Sequence, residues 1–335
     1  MAKLPVTRIT LAILLTAALQ TAIVTALEAV IAYFYFSTVP QPFERLSSDR
    51  GIPIYLILFA IAQLFLLVMV WDTVRQRNII QLIGVVVFNL CIFGYAVFQY
   101  FQISRLEYLE ILALNRVKET QWDFETMKRN MRPLLIVIPC VTGVSNIIYM
   151  WLGYRLHSDF GWDVFKRIGA NAKLRKMYRA YHIFVLLVKI DFFFFLGFAL
   201  QFIILVLRNS SLELWLTVAA VPVTLAILIL AIYAVHAENR FIMGLFMAGL
   251  VLSMAYFIYR LVRINAEANS EQYLNAGKFL TFFASVSLVA IILTFIQSVI
   301  CYRNFGQGLK CHLRGGKAVE LDRPNYPPTR MTLEG

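Results

Sequence analysis

The chain has 335 residues, of which 60% are hydrophobic and only 15% charged, with a net charge of +12 and a mean hydropathy of +0.71. A soluble globular chain is about 45–50% apolar and about 25% charged, so this one has too few charges to cover a water-facing surface. The composition excludes a soluble domain and predicts an integral membrane protein. Its basic charge reads as leaflet electrostatics and not as a nucleic-acid footprint, because no nucleic-acid-binding module accompanies it.

In chain order, apolar runs long enough to cross a ~30 Å hydrocarbon core as helices fall at 11–36, 52–71, 79–101, 133–154, 183–207, 212–235, 241–262 and 279–302. A membrane barrel would show segments of about ten residues with alternating polarity. These runs are longer and unbroken, so the predicted fold is all-α, a polytopic bundle of about eight transmembrane helices. The first run follows Lys3 and Arg8, as a signal peptide would, but it is too long for a signal h-region and ends in the aromatic cluster Tyr33–Phe36. It is read as a retained span. Residues 1–302 form the membrane domain. Residues 303–335 form a cytosolic tail, expected to be largely flexible because Pro324, Pro327 and Pro328 disfavour helix.

With the N-terminus in the cytosol, 18 of the 31 Lys and Arg residues lie on the cytosolic side, 12 lie opposite, and Lys189 lies within a span. This bias favours cytosolic termini. Between spans three and four, Leu106, Leu109 and Leu112 suggest that the third helix continues beyond the membrane. Before span five, Leu174, Met177, Tyr178 and Tyr181 share one helical face, and Lys173, Lys176 and Arg179 surround it. Such a helix is suited to lie along an anionic leaflet, which makes membrane lipids with anionic headgroups the expected partners, with membrane proteins as further candidates. The plainer reading is ordinary positive-inside signalling.

Chemistry-bearing constellations are sparse. The four histidines are scattered, and no zinc, nucleophile-elbow or phosphate-loop motif occurs, so no catalytic residue, metal or cofactor is expected. "VHAENRF" places His236 and Glu238 on different sides of a helix end and reads as a short turn between spans six and seven. Cys91 and Cys140 read as packing residues, while Cys301 and Cys311, flanking the end of span eight, are candidates for lipidation. The sequon at Asn209 falls in a loop too short to present a glycan readily. Gly244, Ala248, Gly249 and Ser253 on span seven suggest close helix packing.

The most informative stretch is "LLVKIDFFFFLGFALQF", residues 186–202, which sets Lys189 and Asp191 in an apolar run. A bare charge at mid-bilayer costs at least about 2.5–3.5 kcal/mol, so each needs a partner or water. Two residues correspond to about 200° of helical rotation, so the two cannot pair with each other. The long Lys189 stem is expected to snorkel to the interface. Asp191 lacks that reach and is expected to matter more. With Gln201 and Glu28 they form a candidate buried polar site, to which Gln63, Asn89, Gln99, Ser145, Asn146 and Gln297 are possible contributors. Either these groups fix helix packing or they line a proton or solute path.

"KIDFFFFLGFALQF" in span five and "CYRNFGQGLK" leaving span eight resemble signatures of an uncharacterised family of fungal Golgi-apparatus multipass membrane proteins. The resemblance covers most of the chain and implies a Golgi or other endomembrane location. It contributes no catalytic residue. Two function classes follow from the residues: a non-enzymatic organiser or sorter of membrane proteins or lipids, and a small-solute or ion transporter using the polar residues of span five. A carrier should show Asp191 facing a wet cavity shared by several spans, whereas an organiser should show it sealed in a pair.

Overall fold

Long runs of Leu, Ile, Val, Phe and Ala make helices that are apolar around their whole circumference, which suits a lipid surround on one side and helix packing on the other. The computed structural model describes residues 8–38, 51–114, 124–168, 172–205, 211–266 and 277–306. These form eight helices: α1 Arg8–Thr38, α2 Gly51–Gln76, α3 Ile79–Leu114, α4 Phe124–Ile168, α5 Ala172–Leu205, α6 Ser211–Ala237, α7 Arg240–Ala266 and α8 Gly277–Arg303. Seven carry a stretch long and apolar enough to cross a membrane; the described apolar stretch of α6, Val221–Ala237, is shorter.

Several helices overrun the expected spans. At about 1.5 Å per residue, the 36 residues of α3 extend about 54 Å, well beyond a ~30 Å hydrocarbon core. The helix thus continues past span three, as the leucine spacing predicts. In α4 the helix runs through Pro133 and Pro139 and on past residue 154 to Ile168. The basic segment before span five belongs to the first turns of α5 itself. It is therefore not a separate helix free to lie flat on a leaflet, because Leu174, Met177, Ala180 and Tyr181 are buried in the bundle core.

Packing divides the helices into two rings of four. In one, α1 lies against α2 and α4, and α3 closes the ring against both. In the other, α5 lies against α6 and α8, with α7 between them. The rings meet where α5 packs on α2 and α3. The tight turn that ends the second helix of each ring is built the same way. Arg77 and Glu238 sit in left-handed backbone with φ of 50° and 52°. Each is followed by an asparagine whose side chain caps the next helix: Ile80 N–H donates to Asn78 Oδ1 (2.9 Å), and Phe241 N–H donates to Asn239 Oδ1 (3.0 Å).

Close approach at the junction, between the rings at Gly84 and within the second ring at Gly197, depends on glycine. A Cβ on Gly84 of α3 would stand 2.4 Å from Leu186 Cδ1 of α5, and one on Gly197 of α5 would stand 2.7 Å from Phe283 Cε1 of α8. Gly244 and Gly249 of α7 have nothing within 4 Å of such an atom, and Ala248 is exposed. Gly244, Ala248 and Gly249 thus make no close helix contact here, contrary to the sequence expectation. That face of α7 points away from its neighbours.

Candidate functional site

Helix α5 stands at the junction of the two rings, and its charges reach different neighbours because they project from opposite sides. The Lys189 ammonium pairs with Oδ2 of Asp72 on α2. Gln76 Nε2 donates to both carboxylate oxygens of Asp72 at 2.8 Å, and Gln81 Nε2 on α3 donates to Gln76 Oε1 at 3.0 Å. A polar chain thus ties α5 to α2 and α3 at the end of the bundle where α2 meets α3. Both side chains of the ion pair keep about a quarter of their surface, 24% and 23%. Lys189 does not simply snorkel as expected. Asp72 lies one residue past the apolar run of span two and meets it.

Asp191 is 6% exposed. Its Oδ2 accepts from the Thr294 hydroxyl of α8, and its Oδ1 has no hydrogen-bond partner among the described residues. Further along the same seam, Gln297 Nε2 donates to the Ala180 carbonyl at 2.8 Å. The Cys301 thiol approaches that same oxygen at 3.7 Å. Cys301 is buried, so it does not present its sulfur for acylation; Cys311 lies outside the described residues.

The four residues of the candidate polar site do not converge. Glu28, 3% exposed on α1, accepts from Gln99 Nε2 of α3 at 3.3 Å, and its second oxygen has no hydrogen-bond partner among the described residues. Gln201 is fully buried toward the end of α5, and neither of its amide atoms has a hydrogen-bond partner among the described residues. Other polar residues do come together, inside the first ring. Gln20 Nε2 of α1 donates to Gln63 Oε1 of α2 (3.2 Å) and to Asn89 Oδ1 of α3 (2.8 Å). Asn89 Nδ2 in turn donates to the Thr142 carbonyl of α4 at 3.1 Å. This buried cluster joins all four helices of that ring.

Lys173, Lys176 and Arg179 are exposed on one face of α5, as their spacing predicts. One turn further, the Tyr181 hydroxyl and His236 Nε2 of α6 are hydrogen-bonded. His236 stands one residue past the expected sixth span, and burial pushes its imidazole below its ordinary pKa. Glu238 faces the other way and accepts from the Gly306 N–H at 3.0 Å. The "CYRNFG" segment is therefore docked on the α6–α7 turn, with Phe305 buried. The rest of the tail, and Asn209, lie outside the described residues. Among the described residues, no three His, Cys, Asp or Glu side chains gather in a way that would hold a metal ion.

The phenylalanines that follow Asp191 shape an apolar cavity at the junction. Phe193 stacks on Phe65 (5.1 Å) and meets Phe88 edge-on (4.9 Å), while Phe194 leans on Phe283 at 5.9 Å. Beside them lies a cavity of about 600 Å³ between α2, α3, α5 and α8, with no charged residue in its lining. Its back wall is buried aromatic surface, including Phe59, Phe193 and Phe283. Its rim carries the exposed residues Cys91, Gly94 and Phe98 of α3 and Phe282 of α8. The sequence holds the phenylalanine run in plain view, but the cavity depends on which helices flank it.

Of the two segments that carry the family resemblance, the first thus occupies the ring junction, and the described part of the second, residues 301–306, forms the docked end of α8. The chain is 28% identical over 274 residues to a UPF0658 Golgi apparatus membrane protein of Schizosaccharomyces pombe, spanning 78% of each chain. The resemblance to the uncharacterised fungal Golgi family holds. With its apolar helices, the chain is an integral multi-pass membrane protein of the Golgi apparatus or another endomembrane. No protein-family model and no solved structure matches it.

Proposed function

We propose that this protein is a non-enzymatic organiser of Golgi-type membranes, acting on the distribution of membrane lipids or proteins. The observation that supports this reading is the fate of the charges on α5. Lys189 is held by Asp72, and Asp191 is sealed against Thr294 with 6% of its surface exposed. Neither lines the cavity beside them, whose walls are apolar. A charge used to carry a solute must meet that solute in a wetted space, whereas a charge used to fix helices needs only its partner. The test compares the lipid and membrane-protein composition of Golgi membranes isolated from cells with and without the protein. Redistribution of either is the expected result; unchanged composition would reject the reading.

A second reading, a small-solute or ion carrier, draws support from the first ring and not from α5. Glu28 is a carboxyl buried within the spans with one oxygen unshared among the described residues, and the Gln20–Gln63–Asn89 cluster lies on the first three helices of the same ring. Saturable flux through the protein in reconstituted vesicles, abolished by Glu28→Gln, would favour it.

A further inference from the structure

We propose that the aromatic cavity between α2, α3, α5 and α8 is a lateral binding groove for one acyl chain of a bilayer lipid. Its walls set the chemistry. Eight of the fourteen lining residues are aromatic, the rest are aliphatic or small, and none is charged. Ligand cavities of roughly 300–1,000 Å³ with mostly apolar linings are the usual size for a small hydrophobic guest, and 600 Å³ falls in that range.

The mouth sets the source. Cys91, Gly94, Phe98 and Phe282 lie within membrane-crossing stretches and are exposed, so the rim is continuous with the face of the protein that meets lipid. The dimensions fit one leaflet. On α3 the lining runs from Phe88 to Phe98, ten residues or about 15 Å of helix rise, which is half of a ~30 Å hydrocarbon core. The groove occupies the half nearer the start of α8, because Phe282 and Phe283 stand within two turns of Gly277.

The volume argues against a transmembrane helix of a partner protein as occupant. A helix about 10 Å across would fill 600 Å³ in about 8 Å of length, roughly five residues, which is too little to seat a span. A slender hydrocarbon chain uses the full depth. Its gain comes from dispersion contacts with the aromatic walls, since lipid-to-groove transfer removes no apolar surface from water. Gly94 stands at the open entrance, where an added Cβ would meet nothing within 4 Å.

The proposal deepens the organising role by naming its lipid ligand, and it rests on that reading only for its use in the cell. Crosslinking reads the groove alone, whereas membrane composition reads the role, so the two fail separately. The experiment places the full chain in phosphatidylcholine vesicles doped with phosphatidylcholine bearing a diazirine at mid-chain, and maps the crosslinked peptides by mass spectrometry. The expected result is labelling of the 91–98 and 282–286 segments about tenfold above that of the exposed α7 face around Leu245 and Leu252, a ratio equivalent to about 1.4 kcal/mol of preference. Gly94→Trp, which projects an indole at the open entrance, should remove that excess, as should Cys91→Trp, while Gly244→Trp on α7 should leave it intact. Even labelling of all lipid-facing helices would overturn the proposal. So would labelling of the groove by a diazirine-bearing sterol in place of the phospholipid, or an excess that survives both groove-filling variants when these fold.

Discussion

The two four-helix rings have the same packing order and the same capped turn after their second helix, yet they are held together differently. The α1–α4 ring is joined by polar side chains that cross it at mid-depth, with Asn89 connecting α1, α3 and α4. The α5–α8 ring is joined by aromatic edges, such as Phe198 on Phe257 (5.1 Å) and Phe184 on Phe246 (5.9 Å), with polar contacts that include the seam between α5 and α8, the Tyr181–His236 bond and the Gly306–Glu238 bond at the end of α8. In lipid no hydrophobic force drives one helix onto another, so interhelical hydrogen bonds and close packing must supply the specificity. The first ring relies mainly on hydrogen bonds, the second mainly on shape. The junction uses both, an ion pair midway along α5 and glycine contacts on either side of it.

The comparison predicts a graded series of losses. Lys189→Met breaks the only described ion pair of the junction and leaves Asp72 without its base. Removing one partner of a fully buried pair costs about 3–5 kcal/mol, and partial exposure here reduces that to about 2–3 kcal/mol. A thermal scan of the purified protein in detergent should show this as the largest loss of stability, and Asp72→Asn introduced with it should recover part. That ranking reverses the sequence expectation that Asp191 matters more, because Lys189 is held by Asp72 and does not snorkel freely. Asn89→Leu strips the first ring of its central amide and should cost about 2 kcal/mol, because the groups of Gln20 and Thr142 lose their partner. If Asn89→Leu were silent, the distinction between the rings would fail.

Shape is tested by glycine. Gly197→Val forces side-chain atoms against Phe283 and Leu58 and should cost about 1–3 kcal/mol by overpacking. Gly244→Leu, at a site open to lipid, should stay within about 0.5 kcal/mol of wild type in the same scan.

The smallest effect concerns pH. Burial lowers the pKa of His236 in the folded protein below its ordinary 6.5, so the unfolded chain takes up the proton first as pH falls. The stability this site provides is present above pH 6.5 and is lost as pH falls from there through the lower folded value. The melting temperature of the wild-type protein should therefore drop more between pH 7 and pH 5 than that of His236→Gln. Equal drops would remove His236 from the account.

What the sequence reveals and what it hides follow from the same physics. Membrane helices announce themselves by length and apolarity, so all eight runs are visible, as are Lys189 and Asp191, because a charge among phenylalanines stands out. Their partners do not stand out. Asp72 looks like an ordinary interfacial acid, and Thr294 is one hydroxyl among many on an apolar helix. Gln20 carries no mark that separates it from a solitary tolerated amide, yet it connects three helices. The small residues of α7 and the glycines at the junction are alike as small residues in apolar runs, but only the choice of neighbours makes one set a contact and leaves the other open. The periodicity of the basic face before span five is legible; its continuity with α5 is not, since a periodic face reads alike in a free surface helix and in an extended span.

The central claim is that the charges on α5 fix helices and carry no solute or proton. Asp191→Asn tests it most directly, because the asparagine oxygen can still accept from the Thr294 hydroxyl while the ionisable group is gone. The measurement is complementation of a deletion by Asp191→Asn, with protein abundance and Golgi localisation followed in the same cells. The account predicts a variant that folds, reaches the Golgi and complements as wild type does. A variant that folds and localises normally but fails to complement would contradict it.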